Sequence, residues 1–477
     1  MYRIVRNLWF VLCSSGVRRL VLALLIAPLL SLGAEAQTAS PPAPAPASGA
    51  PPPPNVVGRL LTLDEAVAIG LATQPQIQAR LSDYAAARYR VAQALAPLLP
   101  QLGASANASK SQQTSSATTR NLVINNHRVP RAGSEFSITS ISTQGFGDSF
   151  AAQVSLSQLL FDFGKTLAAT EAARRLADVA LEDVELQRQV IVLSIREAFS
   201  NLVLARQLVR VQQQALQRAQ VTLDAAQRTF EAGLRAQADV ARAEVDVANA
   251  ELEVIRATTA TQLGRAALAT AMGLRAWTAV DIDDTLSYEA MTFDRDALFA
   301  ESLRQRPEHR QARLRIDASE ALERQAFRNF FPDIIGGGTY GATQFPALNE
   351  SWLVGLQMSW TFFDGGNKVA RYQEAKANVE SARARLQSSE LDLSRDVEQA
   401  VIAATEAQAR IRATGAVVRA AESNYRFAEG RFRAGLTTII DLTDAQFTLT
   451  QAHSTEAEAL SDYRLALYRL DRAVGRR

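Results

Sequence analysis

The chain uses one stretch twice. Asp162 and Asp364, Gly233 and Gly435, and Asp239 and Asp441 are each separated by 202 positions, so the two copies stay in register without a gap. A repeat of this kind constrains the architecture before any local preference does, because each copy is a unit that buries the same kind of face.

Within the first copy a seven-residue apolar line runs from Leu181 and Val184 through Ile191, Ile195, Ala198, Leu202, Ala205 and Val209 to Ala226 and Phe230; only Arg188 and Gln212 break it. Its counterpart runs from Leu386 through Leu393, Val397, Ala404, Val418 and Tyr425 to Phe432, with Arg383, Glu390 and Thr414 as exceptions. A sustained heptad line predicts a helix whose seam packs in a left-handed supercoil. No Pro or Gly interrupts Lys165 to Phe230. At about 1.5 Å per residue such a helix spans roughly 100 Å, several times the length of an ordinary globular helix.

The N-terminus carries Arg3, Arg6, Arg18 and Arg19, then the apolar run Leu20 to Leu32, then Ala34-Glu35-Ala36. This order predicts a secretory signal peptide cut after Ala36; a retained membrane anchor is the other reading, disfavoured by the short run and by Pro28. Cleavage removes four arginines and one glutamate, leaving 47 basic and 48 acidic residues, and also removes the single cysteine, Cys13. A mature chain without a thiol has no disulfide scaffold and no Cys-based metal site. A near-neutral balance argues against a nucleic-acid partner. Residues 37–58 are mostly Pro, Ala and Ser and predict a flexible leader.

The flanking elements repeat at a different offset. A short helix before Pro75, capped by Thr62 or Asp64, matches Phe293 to Arg306 before Pro307, and the runs ending at Pro100 and Pro332 are again 232 apart. Copy one therefore holds 30 extra residues between Pro100 and Asp162. There the helical period gives way to a period of two. Trp352, Val354, Leu356, Met358, Trp360 and Phe362 alternate with smaller or more polar residues, as do Phe150, Ala152, Val154 and Leu156. Each predicts a strand paired with an earlier one, near Leu102 to Lys110 or Ile334 to Thr343. About ten residues is the length a tilted strand needs to cross a bilayer. Aromatic residues gather at both ends: Phe161, Trp360, Phe362 and Phe363 with Phe330 and Phe331 at one, Tyr340, Phe345 and Trp352 at the other. The extra residues fall in a Ser/Thr/Asn-rich loop around Gln112 to Gln144. A soluble hairpin packed on a core is the alternative. If these strands enter a membrane they must close into a barrel, and four strands are too few, so several chains must share one.

Two copies of helix, strand hairpin, very long helix, turn and return helix resemble the TolC family of outer-membrane channel-tunnels, over about Leu61 to Gly475. The most specific piece is Phe432-Arg433-Ala434-Gly435-Leu436-Thr437-Thr438-Ile439-Ile440-Asp441-Leu442-Thr443-Asp444-Ala445-Gln446, which is similar to the family's helix-turn-helix tip. The junctions Phe161-Asp162-Phe163-Gly164 and Phe363-Asp364-Gly365-Gly366 are also similar to the family's. The resemblance implies a mainly α fold: long coiled-coil hairpins forming a tunnel, with four strands per chain in a shared twelve-stranded barrel of a homotrimer. It implies a passive efflux or secretion duct in the outer membrane of a Gram-negative bacterium, with no catalytic residues and no cofactor. The partners it implies are a periplasmic adaptor, an inner-membrane transporter of the RND, ABC or MFS type, and outer-membrane lipid. The expected organisation is signal peptide 1–36, leader 37–58, first repeat 59–272 with strand hairpin 100–162 and tip 231–237, connector 273–295, and second repeat 296–475 with strand hairpin 332–363 and tip 433–439.

At the tip, Gly233, Leu234, Gly435 and Leu436 are the expected adaptor contacts. Asp441 and Asp444 stand three apart after the turn. They serve either the helix dipole or, by the resemblance, an acidic ring at the periplasmic entrance that favours cations. Copy one keeps Asp239 and places Arg242 opposite Asp444, a candidate pair for holding the entrance closed. His127, His309 and His453 stand apart from one another and form no ligand spacing. A periplasmic adaptor and a coiled-coil scaffold are the competing functions; an adaptor has one such hairpin rather than two, and a scaffold has no use for aromatic-bounded strands.

Overall fold

The structure is a computed structural model that describes residues 59–113, 145–233, 236–282, 288–344 and 348–476, all within one compact unit, 57–477. The expected signal peptide and leader, the loop beyond Gln113 with His127, and Leu234 and Phe345 lie outside the described residues.

Both copies open with a helical elbow. Helix α1 (Leu63–Thr73) starts on a capping box in which the Thr62 hydroxyl accepts from the Glu65 N–H and the Glu65 carboxylate accepts from the Thr62 N–H; each bond satisfies an amide the helix leaves open. Helix α2 (Pro75–Leu95) follows, beginning with proline at its first position, where the missing N–H costs nothing. Copy two repeats the elbow as α5 (Arg295–Gln305) and α6 (Pro307–Arg328), again 232 positions on. Asp294 caps α5, accepting from the N–H groups of Asp296 and Ala297. The helix expected from Phe293 therefore begins two residues later, and Phe293 packs instead against the core of the second hairpin.

Strands β2 (Gln101–Gln113), β3 (Gly145–Phe161), β5 (Asp333–Gln344) and β6 (Leu348–Ser359) form one antiparallel sheet in the order β2-β3-β5-β6. A separate parallel pair, β1 (Leu60–Leu61) with β4 (Asp281–Ile282), ties the start of the described chain to the connector. The expected strand through Phe362 ends at Ser359: Trp360 and Phe362 keep the alternation but leave the ladder. The Trp360 indole N–H instead donates to the Phe330 carbonyl at 3.0 Å.

The long hairpins are α3 (Lys165–Glu231) with α4 (Gln237–Ala271), and α7 (Asn367–Arg433) with α8 (Ile439–Val474). Helices α3 and α7 have 67 residues each, about 100 Å at 1.5 Å per residue. Every start keeps the 202 offset. Asp162 begins the first: it is buried and accepts from the N–H groups of Gly164 at 2.9 Å and Thr166 at 2.6 Å. Asp364 does the same for the second through Lys368 N–H at 3.0 Å. The heptad line is the buried seam. Val184, Ile191, Ile195, Leu202, Ala219 and Ala226 are buried on α3, as are Leu393, Val397, Ala404, Ala407, Val418 and Phe432 on α7, while Leu181 and Phe230 are exposed. Thr414, an exception in the sequence, is buried with its hydroxyl donating to the Ile411 carbonyl.

Each return helix ends against the elbow of its own copy. Gly273 (φ 76) and Gly475 (φ 94) close α4 and α8 in the left-handed conformation, and Leu274 N–H and Arg476 N–H bond back to the carbonyls of Ala269 and Asp471, the usual glycine stop. A Cβ on Gly273 would lie 2.9 Å from Gln74 Cα; one on Gly475 would lie 3.0 Å from Arg306 N. The elbow residues there are equivalent, and both donate to equivalent carbonyls: Gln74 to Ala271 at 3.0 Å and Arg306 to Ala473 at 3.4 Å.

Candidate functional site

Three regions carry features that packing alone does not require. The first is the sheet. Opposed residues share a face, and the register places Trp352, Val354, Leu356 and Met358 of β6 opposite Tyr340, Gly338, Gly336 and Ile334 of β5. Val154 and Leu156 of β3 lie next to Tyr340 and Gly338, and Ala104 and Leu102 of β2 beyond them. This face is apolar and open: Trp352, Val354 and Leu356 are each 76–77% exposed. The opposite face carries Ser105, Gln153, Ser155, Thr339, Ser351 and Gln357, with Leu159, Ile335 and Leu353 as apolar exceptions. Among the described residues, strands β2 and β6 have no neighbour on their outer edges. No described helix is long and apolar enough to cross a membrane.

The foot of the sheet gathers aromatic rings. Phe161 meets Phe163 edge-on at 4.8 Å, and Phe163 stacks on Phe331 at 5.1 Å. Trp360 stands 6.2 Å from Phe362; Phe362 and Phe363 are almost fully exposed. At the far end Trp352 pairs across the ladder with Tyr340, whose hydroxyl donates to Glu350 at 3.2 Å.

The second region is the equator, where the elbow of copy two is charged. The Arg306 guanidinium is buried and bonds Glu308 through two donors, at 2.8 and 3.2 Å, and Asp396 at 3.0 Å. Arg472 adds a bond to Glu308 at 2.7 Å. Burial alone would raise the Glu308 carboxyl, but the hydrogen bonds and charge of Arg306 and Arg472 hold it down at about 2. His309, beside it, is buried with Nε2 3.3 Å from Glu390.

The third region is the pair of tips. Gly233 (φ 73) and Gly435 (φ 71) turn the two chains, with no atom within 4 Å of where a Cβ would stand, so conformation alone calls for glycine here. Just above the turns all four long helices meet on Ala226, Ala243, Phe432, Ile439 and Leu442. Thr438 caps α8 and Asp441 completes its capping box: the Asp441 carboxylate accepts from the Thr437 and Thr438 hydroxyls and from the Thr438 N–H. These bonds hold it below the ordinary carboxylate range. Copy one has Ala236, which offers no side-chain cap, in place of Thr438, and Asp239 there is only partly exposed. Asp444 and Leu436 are exposed.

Arg242 and Asp444 make no ion pair with one another among the described residues. Both act instead on Asp246, whose carboxyl is raised by burial and by Asp444 and lowered by Arg242. Near the tips, hydrogen bonds cross between the hairpins in a layer that the sequence analysis missed. Arg218 donates to the Thr450 hydroxyl at 2.9 Å, and Gln446 donates to the Thr222 hydroxyl at 2.8 Å. Tyr425 lies against the same layer, its phenol raised mainly by burial.

A family model described as outer membrane efflux protein matches residues 69–274 and 298–476, one span in each copy of the repeat. A membrane protein from Pseudomonas aeruginosa is 21% identical, with a TM-score of 0.70 over 87% of this chain and 90% of that one. The outer membrane protein VceC from Vibrio cholerae is 22% identical, with a TM-score of 0.68 over 87% and 96%. The outer membrane channel CmeC of Campylobacter jejuni is 16% identical, at 0.70 over 87% and 85%. At such identities the likeness is one of fold. Nodulation protein T of Rhizobium leguminosarum bv. trifolii is 25% identical over 184 residues, 37% of this chain and only 39% of that protein's length.

Proposed function

Because the chain belongs to the outer membrane efflux protein family, we propose that it is a passive duct that carries cargo across the periplasm and outer membrane. The observation that carries this reading is the sheet: an exposed apolar face, a mostly small-polar face behind it, and two open edges among the described residues, at one end of two hairpins whose long helices have 67 residues each. Open edges do not survive in hydrocarbon. Three copies joining β2 to β6 give twelve strands and twelve long helices, so the working unit is a homotrimer in the outer membrane. Phe161, Trp360, Phe362 and Phe363 form its inner aromatic girdle and Trp352 belongs to the outer one.

The tips lie furthest from the sheet and form the periplasmic entrance. The exposed Leu436 with Gly435, and Gly233 with Leu234, form the docking surface for a periplasmic adaptor, which links the duct to an inner-membrane transporter. Asp444, Asp441 and Asp239 add negative charge there, favouring cations at the entrance. Two sets of interactions support a latch: the charges of Arg242 and Asp444 acting on Asp246, and the hydrogen-bonded Arg218/Gln446 layer that fastens α3 to α8. Nothing in this duct calls for catalysis.

Imaging of protein extracted from outer membranes tests the architecture: a three-fold particle with a barrel end and a long rod is expected, and a compact monomer in the soluble periplasm would overturn it. For the latch, Arg218→Ala with Gln446→Ala removes two hydrogen bonds, each worth about 1 kcal/mol. The open fraction in planar bilayers is expected to rise at least about tenfold. Unchanged resting conductance would assign the layer to packing.

A further inference from the structure

We propose that the foot of the sheet holds a phospholipid whose headgroup carries both a phosphate and an ammonium, seated on the last turns of α6 between the two strand-to-helix junctions. This rests on the outer-membrane reading above. A cavity of about 660 Å³ opens there, with an aromatic floor of Phe163, Phe327, Phe331 and Tyr372. Phe327 meets Phe331 edge-on at 6.0 Å and Tyr372 at 5.8 Å. The rim is charged with both signs. Arg324 and Arg328 supply guanidinium groups, Glu320 and Glu323 carboxylates.

Not all of that charge is used within the chain. Arg328 spends one nitrogen on the Gly164 carbonyl at 2.7 Å, and Arg324 one on Glu171 at 2.8 Å; each keeps further donors, and a guanidinium fork suits phosphate oxygens. Glu320 holds Arg383 at 3.0 Å, whereas Glu323 makes no ion pair among the described residues. A carboxylate beside open aromatic faces is the setting an ammonium favours. One headgroup satisfies both halves of the rim.

The cavity continues the apolar sheet face. Phe161 stands opposite Ile334 in the register, on the face that carries Met358 and Leu356, and touches Phe163. An acyl chain lying on that face brings its phosphate to this level.

Two comparisons within the chain separate the cavity from ordinary packing. Phe163 has a φ of 54°, unique among non-glycine residues in the described chain, while its counterpart in copy two is Gly365. A left-handed backbone is disfavoured for a residue with a Cβ, so copy one keeps strain that glycine would relieve. The elbow of copy one, 232 positions earlier, carries Val91, Ala92, Leu95, Ala96 and Leu99 where α6 and its end carry Glu323, Arg324, Phe327, Arg328 and Phe331. The same elbow therefore folds without this set.

The test is photolabelling. The full-length protein is reconstituted in phosphatidylglycerol vesicles doped with photoreactive phosphatidylethanolamine or with photoreactive phosphatidylglycerol, and the cross-linked peptides are mapped. The expected result is labelling of the Phe327–Phe331 peptide about tenfold stronger with the ethanolamine lipid, the worth of one charge-assisted bond. Glu323→Gln is expected to bring the two lipids to near parity without changing how the protein floats with vesicles. Equal labelling by both lipids, label spread evenly along β6, or cross-links from the cavity to another copy of the chain would each overturn the site while leaving the duct standing. Failure to float with vesicles would overturn both.

Discussion

Arg306→Met is expected to cost about 3 kcal/mol of stability, because it leaves Glu308 and Asp396 without the buried cation that holds them. The loss should appear as an earlier fall of the helical circular dichroism signal on heating in detergent. It should also carry a pH signature. The Glu308 carboxyl sits at about 2 against an ordinary 4.5, so the wild-type bonds stabilise the fold above about 4.5 and lose that contribution as pH falls toward 2. The variant has already lost part of it. The gap between the two melting curves should therefore narrow on acidification below about pH 4.5. A gap that stays constant would show that Arg306 acts through packing of its stem rather than through its charge.

Gly273→Val is expected to cost as much by a different route. The left-handed φ of 76° costs a Cβ-bearing residue about 1–2 kcal/mol. The new Cβ also meets Gln74 Cα at 2.9 Å and the Thr73 carbonyl at 3.0 Å; these are backbone atoms that cannot swing aside, and overpacking adds about 1–3 kcal/mol. Gly233→Val supplies the comparison, since its φ is nearly the same and its surroundings are empty. It should lose the conformational share alone. Limited proteolysis of both variants across a temperature series separates the two contributions, and equal losses would mean that the elbow contact bears no load.

The parts of this fold that were readable in the sequence are the parts that repeat. The heptad seam, the starts of the long helices near Asp162 and Asp364, the glycine turns and the alternating strands all depend on neighbours a few positions away, and the second copy repeats each signal. What was not readable depends on distant partners. Arg306 precedes a proline and looks like a helix-end charge; its meaning lies in Asp396 and Ala473. Arg218 and Gln446 look like surface residues of separate helices until the hairpins are brought together. Asp246, the acidic neighbour of Asp444, sits outside the tip motif and gave no sign. The strand end was misjudged at Trp360 because alternation reports which face a side chain takes, not whether its backbone is still paired. For Phe163 the signal was present: Gly365 occupies the same place in the other copy.

The equal length of α3 and α7 makes the reach of this molecule a shared quantity. One residue inserted in either helix would lengthen it by about 1.5 Å and turn everything beyond by about 100°. The seam would then miss its partner, and one tip would stand below the other. A tolerated change in reach must keep the heptad phase and be made in both copies at once, whereas the loop between β2 and β3 has taken 30 residues in one copy alone. The reach of the tunnel is thus written twice in one gene, and the two texts can be revised only together.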